Sequence, residues 1–189
     1  DIPAYKKFYF LGGSTSWANI RGLLTNNIND LNLFEEGSYK SKAIDVWGIS
    51  DKHLFLEAND VLKVQDHPFF AVIQTSDNHM PYTIPSEDLN EFKKLNIAAD
   101  TLKKYGFTSL EEFHAFRYTD FCFQKFIEAA QKANYLSNTI FVLFGDHGIR
   151  GDAGNLVPKC WKSDRLTTQH VTFLFYSPAL HYPTRKRRD

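Results

Sequence analysis

Two continuous apolar runs constrain the fold of this chain more than any other feature of its sequence. They are PFFAVIQTS at residues 68–76 and TIFVLFG at residues 139–145, and polar residues follow both of them directly. A strand without alternating polar residues has both faces covered, which is typical of a parallel sheet enclosed by helices. The two runs therefore predict a layered α/β fold.

Two helices have clear starting signals in the sequence. Residues 50–65 carry apolar residues at helical spacing, and Ser50 is placed to cap the first turn. Residues 108–136 form the clearest helix, and Ser109 and Glu112 at its start make a capping box. Its packed face is expected to consist of five apolar residues: Leu110, Phe113, Phe116, Phe121 and Ile127.

Strand and helix patterns alternate along the chain. Residues 5–13 indicate a first strand, residues 14–28 a helix preceded by hydroxyl residues that suit a cap, and residues 170–178 a last strand. Such alternation favours right-handed crossovers and a mostly parallel sheet with helices on both faces. The length of 189 residues predicts one domain.

The charge balance excludes some classes of function. Lys and Arg together number 22, as do Asp and Glu, so the net charge of zero gives no bulk electrostatic reason to bind nucleic acid. The basic cluster Arg185-Lys186-Arg187-Arg188 is expected to be a solvated tail or loop. No apolar run is long enough to span a bilayer, and the two cysteines show no zinc or C-x-x-C spacing.

Polar residues that suit catalysis follow both apolar runs. Asp77-Asn78-His79 comes after the first run, and Asp146-His147 comes after the second. In open α/β sheets the active site lies beyond the carboxyl ends of the strands. The sequence therefore predicts the active site at these strand ends, although it contains no G-x-S-x-G, P-loop or Cys-His signature that would name a nucleophile.

Asp146 and His147 are the candidate metal ligands. A carboxylate oxygen and an imidazole nitrogen suit Zn²⁺ or Mn²⁺, and Gly145 and Gly148 let the backbone turn so that adjacent side chains converge. The alternative is a strand-end turn in which the carboxylate caps the next segment and the imidazole lies at the surface. Two ligands are also fewer than the three or four that zinc normally takes.

His79 and Trp17 are candidate substrate-binding residues. His79 follows a buried strand and precedes Pro81, and it could contact a phosphate or protonate a leaving group near neutral pH. A surface loop histidine is the competing interpretation. Trp17, close to the first glycine turn, could stack on a ligand or lie in the core.

Four motifs occur in the order FYFLGGSTSWANIRGLL, WGISDKHLFLEANDVL, PFFAVIQTSDNHMPYTIP and TIFVLFGDHG. Together they resemble the sulfatase-like domain of lipoteichoic acid synthases and related phosphoglycerol transferases, in the alkaline phosphatase superfamily. The resemblance covers about residues 5–180. GDHG after an apolar strand is moderately specific, and its place after TSDNHMPY and WGISD makes the resemblance strong.

The resemblance implies roles for individual residues. Asp146 and His147 would be two of four ligands to one divalent metal ion. Mn²⁺ is the expected ion, and Zn²⁺, Ca²⁺ and Mg²⁺ are the alternatives. His79 would bind the substrate phosphate and act in catalysis, and Trp17 would pack against the substrate head group. Asn19 stands where the family often has arginine, which leaves phosphate binding by this loop, and the substrate, open.

The resemblance also implies an activity and a location. The family moves a phosphoglycerol group, or phosphoethanolamine in related enzymes, from a phospholipid to a glycolipid or glycan acceptor through a phospho-threonine. The catalytic domain lies outside the cytoplasmic membrane behind an N-terminal membrane anchor. The family's nucleophile and acidic ligand come before the motifs found here, so residues 1–189 are expected to be the C-terminal part of one catalytic domain, inactive alone.

Two other functions stay open at this stage. The first is a sulfatase or phosphodiesterase on the same fold, although sulfatases usually have a richer Asp/Asn calcium site than one Asp-His pair. The second is a non-catalytic binding module. The upstream sequence separates the three, because it would contain a threonine nucleophile, a Cys/Ser-x-Pro-x-Arg motif, or neither.

Overall fold

A three-stranded parallel sheet forms the centre of the fold in the computed structural model, which describes residues 2, 4–133, 135–148, 152 and 156–179. The strand order is β2-β1-β3, and the central strand pairs Tyr9 with Leu33 on one side and Val72 on the other. The three strands are β1 (Lys6–Leu11), β2 (Leu31–Phe34) and β3 (Phe69–Gln74). Their carboxyl ends meet at one edge, as the mostly parallel sheet of the prediction requires.

Five helices accompany the strands within the described residues. Two of them, α2 and α4, pack on each other and on β1, where Phe8, Phe10, Leu54, Tyr118 and Phe126 belong to one buried cluster. In chain order the helices are α1 (Ile20–Asn27), α2 (Asp51–Leu62), α3 (Ala99–Lys104), α4 (Leu110–Lys132) and α5 (Lys159–Ser163).

The starts of α2 and α4 agree with the predicted caps. The side chain of Ser50 accepts a hydrogen bond from the His53 amide, and that of Ser109 accepts one from the Glu112 amide. The Glu112 carboxylate accepts from the amide and the hydroxyl of Thr108. The hydroxyl cap expected for the first helix was wrong, because Asn19 occupies the N-cap of α1 without a side-chain cap bond.

The packed face of α4 differs from the prediction. The buried apolar stripe consists of Ala115, Tyr118, Cys122, Phe126 and Ala130. Small residues at three of these five positions let α2 approach closely. The predicted Phe113 and Phe116 are half-buried and line an open groove instead, whereas the half-buried Phe121 lines the groove and also packs against the core.

The last two strands form a separate antiparallel pair. Strand β4 (Phe141–Phe144) pairs with β5 (Phe173–Tyr176), and Phe141 packs on Phe126 of α4 with ring centroids 5.8 Å apart. Phe144 and Phe173 are 65% and 66% exposed. The basic cluster at residues 185–188 lies outside the described residues.

No helix among the described residues combines the length and apolar character that crossing a bilayer requires.

Candidate active site

Four aromatic side chains form a row at the carboxyl edge of the sheet. The ring centroids of Trp17 and Trp47 are 6.2 Å apart, those of Trp47 and His79 4.7 Å, and those of His79 and His147 5.8 Å. The row brings together three predicted site residues that lie up to 130 positions apart in the sequence. Trp47 joins them and was not among the predicted site residues.

His79 is the last residue of a tight turn after β3. The Ser76 carbonyl accepts a hydrogen bond from the His79 amide at 3.0 Å and lies 3.3 Å from His79 Nδ1. If Nδ1 carries the proton toward this carbonyl, Nε2 keeps its lone pair. His79 is half-buried, and its Nε2 can then accept a proton from a hydroxyl or, once protonated, donate to a phosphoryl oxygen.

Trp47 is held by one backbone and one side-chain hydrogen bond. Its amide donates to Asp45 Oδ1, and its indole Nε1 donates to the Met80 carbonyl, one residue after His79, both at 2.8 Å. The following Gly48 has φ +105°, and a Cβ there would lie 2.0 Å from the Gly12 carbonyl oxygen. The Trp-Gly pair of the WGISD motif is the sequence signal that this loop contacts the end of β1.

Trp17 is 60% exposed, which contradicts the alternative of a core tryptophan. It begins a 3₁₀ turn in which Ala18 and Asn19 have φ of 49° and 55°. Left-handed backbone at two successive residues other than glycine is strained and is typical of functional sites. The loop is anchored by Glu35, which accepts from Thr15 and pairs with Arg21.

Asn19, the remaining predicted substrate-binding residue, packs on its own helix. Its side-chain amide lies over Gly22, where a Cβ would be 2.5 Å from Asn19 Oδ1. Arg21, the nearest arginine in sequence, is engaged with Glu35. The role of Asn19 in substrate binding stays a prediction.

Asp146 and His147 follow β4 at the surface. Their side chains are 78% and 61% exposed, and Asp146 Oδ1 lies 3.9 Å from His147 Nε2. His147 Nδ1 lies 3.0 Å from the Gly148 carbonyl, a partner that leaves Nε2 free to bind a metal. Gly148 is required for close approach, since a Cβ there would lie 2.2 Å from the Thr167 carbonyl oxygen.

The pair has the donor chemistry of a metal site. Two bonds of about 2.1 Å to one ion span at most about 4.2 Å, and the observed 3.9 Å lies within that limit. Within the part of the chain that the structure describes, no group of three or more His, Cys, Asp or Glu side chains is placed to hold a metal ion. The two residues therefore fit part of a ligand set.

Three buried carboxylates lie behind the row, and sequence reasoning missed their importance. Asp51 accepts from the Ser76 amide, and Asp77 accepts from the Asp51 amide, both at 2.8 Å. Asp88 pairs with Lys52 and accepts from the Tyr118 hydroxyl. Burial raises the pKa of Asp51 to about 6, and burial together with the charge of Asp51 raises the pKa of Asp77 to about 9.

Comparison with known sequences identifies related proteins. A family model described as Sulfatase matches residues 4–187. The lipoteichoic acid synthase of Staphylococcus saprophyticus subsp. saprophyticus is 29% identical over 104 residues, which make up 55% of this chain and 15% of that protein. The chain thus matches a small part of the length of this curated relative.

Comparison with solved structures identifies the same fold. A protein of the alkaline phosphatase superfamily from Vibrio parahaemolyticus superposes with a TM-score of 0.68 at 26% identity, over 93% of this chain and 39% of that one. A lipoteichoic acid synthase from Listeria monocytogenes gives a TM-score of 0.74 at 18% identity, over 96% of this chain and 45% of that one. At 18% identity, the second likeness concerns the fold alone.

Proposed function

Because this chain belongs to the sulfatase family of the alkaline phosphatase superfamily, we propose that it is part of a metal-dependent transferase. The enzyme would move a phosphoglycerol or phosphoethanolamine group from a phospholipid to a glycolipid or glycan acceptor. Residues 1–189 would form the C-terminal part of its catalytic domain at the extracytoplasmic face of the cell membrane. Similarity to lipoteichoic acid synthases supports this choice within the family.

The order of rings in the row is the observation that carries the proposal. The indoles of Trp17 and Trp47 lie at one end, His79 lies in the middle, and His147 lies at the other end. A phospholipid head group with its phosphate has the same order of chemistry, a polyol or amine followed by a phosphoryl centre. Indole faces suit the C–H groups or the ammonium of the head group.

His79 would act on the phosphoryl group. Its neighbour Trp47 limits access to one face of the imidazole at 4.7 Å, and the Ser76 carbonyl orients Nδ1. His79 Nε2 would hold a phosphoryl oxygen or transfer a proton to or from an oxygen of the leaving or accepting group.

Asp146 and His147 would hold the divalent ion through a carboxylate oxygen and Nε2. Such an ion neutralises charge on phosphoryl oxygens and lowers the pKa of a nucleophilic hydroxyl. The Gly148 carbonyl would keep His147 in the tautomer that leaves Nε2 unprotonated.

A sulfate- or phosphate-ester hydrolase is the second candidate. The observation that favours it is the family model itself, whose description is Sulfatase. The two candidates differ in acceptor, because a hydrolase passes the group to water and a transferase passes it to a sugar hydroxyl.

Assays of the full-length protein in membranes distinguish the transferase from the ester hydrolase. We expect it to release diacylglycerol from fluorescent phosphatidylglycerol or phosphatidylethanolamine and to extend a glycolipid acceptor. His79→Ala should lower turnover by about 10²–10⁴-fold with unchanged metal content. His67→Ala is the matched control, because His67 lies at the surface before β3 and contacts Asp66. Hydrolysis of aryl sulfate without lipid-dependent transfer would overturn the proposal in favour of the hydrolase.

A further inference from the structure

Asp51 and Asp77 bind each other's backbone. The Asp51 carboxylate accepts from the amides of Ser76 and Asp77 at 2.8 and 3.3 Å. In return, Asp77 Oδ2 accepts from the amide of Asp51, the first residue of α2, at 2.8 Å. The two residues are 0% and 4% exposed, so these bonds do not compete with water.

This reciprocal pair fixes the turn that carries His79. Ser76 and Asp77 are the first two residues of the turn, and Asp51 holds both of their amides. The third residue, Asn78, has its side-chain oxygen 3.0 Å from the Thr119 hydroxyl of α4, which also lies 3.4 Å from Asp51 Oδ2. The fourth residue is His79, whose amide and Nδ1 both face the Ser76 carbonyl.

Near neutral pH the pair of Asp51 and Asp77 carries a single negative charge. The negative charge of Asp51 opposes ionisation of the buried Asp77 carboxyl, so near neutral pH the two carboxyl groups keep one proton. The single negative charge is stabilised by backbone amides and by the N-terminus of α2. Three other titratable side chains interact electrostatically with the pair: Asp45, Asp88 and Cys122 of α4. Lys52 and Tyr118 lie next to these groups as the partners of Asp88.

These neighbours do not neutralise a second charge. Asp45 and Asp88 are acidic and oppose ionisation of Asp77. Lys52 is paired with Asp88, and burial raises the pKa of the Cys122 thiol, which keeps it neutral. Loss of the remaining proton therefore places a second, uncompensated charge at the base of the His79 turn.

We propose that Asp51 and Asp77 are positioning residues for His79, a proton-sharing carboxylate clamp that joins the start of α2 to the turn 76–79. The proposal rests on the catalytic role proposed above for His79. When the shared proton is lost, repulsion separates the two carboxylates and releases the turn. His79 then loses its orientation toward the phosphoryl group.

Turnover of the full-length protein tests the clamp through its pH profile. For the unmodified protein we expect kcat to fall as the pH rises through about 9, where the second carboxyl ionises. Asp77→Asn keeps an oxygen for the Asp51 amide but cannot ionise, so it should hold kcat within about twofold at pH 7 and lack the alkaline fall. Asp51→Ala removes the acceptor for two amides and should lower kcat by about 100-fold with little change in KM.

Asp88→Asn is the matched control. It removes a buried carboxylate from the same region, but Asp88 bonds Lys52 and Tyr118 and does not touch the turn. This variant should unfold at a lower temperature and should keep an alkaline fall in kcat, displaced to lower pH because Asp88 no longer opposes ionisation of Asp77. A pH profile of Asp77→Asn identical to that of the unmodified protein would overturn the proposal.

Hydrogen exchange separates failure of the clamp from failure of the proposed function. After correction for the intrinsic rate, amides 76–79 should exchange faster above pH 9 in the unmodified protein but not in Asp77→Asn. Equal exchange in both proteins refutes the clamp, whatever the assay shows. If exchange behaves as expected while His79→Ala retains full turnover, the clamp stands and the role of His79 in the proposed function is wrong.

The thermal stability of Asp77→Asn gives a further readout and covers the case in which Asp51→Ala does not fold. Folding raises the pKa of Asp77, so the folded state holds more protons than the unfolded state between pH 4 and 9. This ionisation therefore lowers the stability of the unmodified protein as the pH rises across that window. Asp77→Asn should show a flatter dependence of melting temperature on pH, and an unchanged slope would count against the shared proton.

Discussion

The turn after β3 and the turn after β4 each place a histidine in the same row of rings, but their surroundings differ. The His79 turn lies on buried carboxylates, with Asp51 bonded to its first two amides. The Asp146-His147 turn lies at the surface, after the first strand of an antiparallel pair whose apolar side chains are largely exposed.

The difference decides which acidic residues are available to a ligand. Asp77, directly after β3, accepts the Asp51 amide and is 4% exposed, whereas Asp146 Oδ1 accepts the His147 amide at the surface. Asp146, directly after β4, is exposed, and an ion can reach its oxygens. A buried carboxylate that supports a loop and an exposed carboxylate, the proposed ion ligand, therefore follow two strands of the same chain.

The largest expected effect compares the buried helical core with the exposed face of strands β4 and β5. Phe126 is 4% exposed and stacks on Phe55, so Phe126→Ala should lower the free energy of unfolding by about 3–5 kcal/mol. Phe144→Ala, on the exposed face of β4, should lower it by about 0.5 kcal/mol or less. Urea titration of the full-length protein measures both. Equal losses would show that another part of the protein covers β4.

The helices of the buried core were easier to predict from the sequence than the pairing of the last two strands. Helices α2 and α4 follow from apolar spacing and from the caps Ser50 and Ser109, because both signals are local. The antiparallel pairing of β4 with β5 was not predicted, because the residues within a strand do not specify its partner.

The candidate site divides in the same way. Trp17, His79, Asp146 and His147 came from motifs, and the structure places three of them in one row, although their roles remain to be tested. Trp47 and Asp51 were missed as site residues. The place of an indole or a buried carboxylate depends on contacts with distant backbone, such as Met80 and Ser76, which spacing does not show.

The second prediction concerns the close approach that holds Trp47. Gly48→Ala should cost about 3 kcal/mol or more of unfolding free energy, because left-handed strain and a clash with Gly12 add together. Gly37→Ala is the matched control, since Gly37 has φ +86° but no atom within 4 Å of its Cβ position. It should cost about 1 kcal/mol, the strain alone. Similar costs for the two variants would mean that the contact with Gly12 is not tight.

The third prediction separates the two histidines by metal content. His147→Ala should weaken metal affinity of the full-length protein by at least about 100-fold, because it removes one of the proposed ligands of the ion. Elemental analysis after dialysis against a metal buffer measures the loss. His79→Ala should retain the metal, although the two rings are neighbours in the row. Metal loss in both variants would contradict the assignment of phosphate binding to the His79 turn and metal binding to the Asp146-His147 turn.

The smallest effect is expected for Trp47→Phe, which keeps an aromatic ring but removes the Nε1 donor. The lost hydrogen bond to the Met80 carbonyl is worth about 1 kcal/mol. With a weaker ring contact to His79, kcat/KM should fall about tenfold. Trp161→Phe on α5 is the control, because Trp161 contacts His170 outside the row.

Whether the loss appears in kcat or in KM shows whether Trp47 orients His79 or helps to bind the head group. A fall confined to kcat means that the indole orients His79 for the chemical step, since the interaction then counts only in the transition state. A rise confined to KM means that it forms, with Trp17, the wall that binds the head group in ground and transition states alike. If Trp47→Phe and Trp161→Phe behave alike, the contact between the Trp47 loop and the His79 turn has no catalytic consequence. The hydrogen bonds of Asp51 and Asp77 would then be what fixes the conformation of the His79 turn.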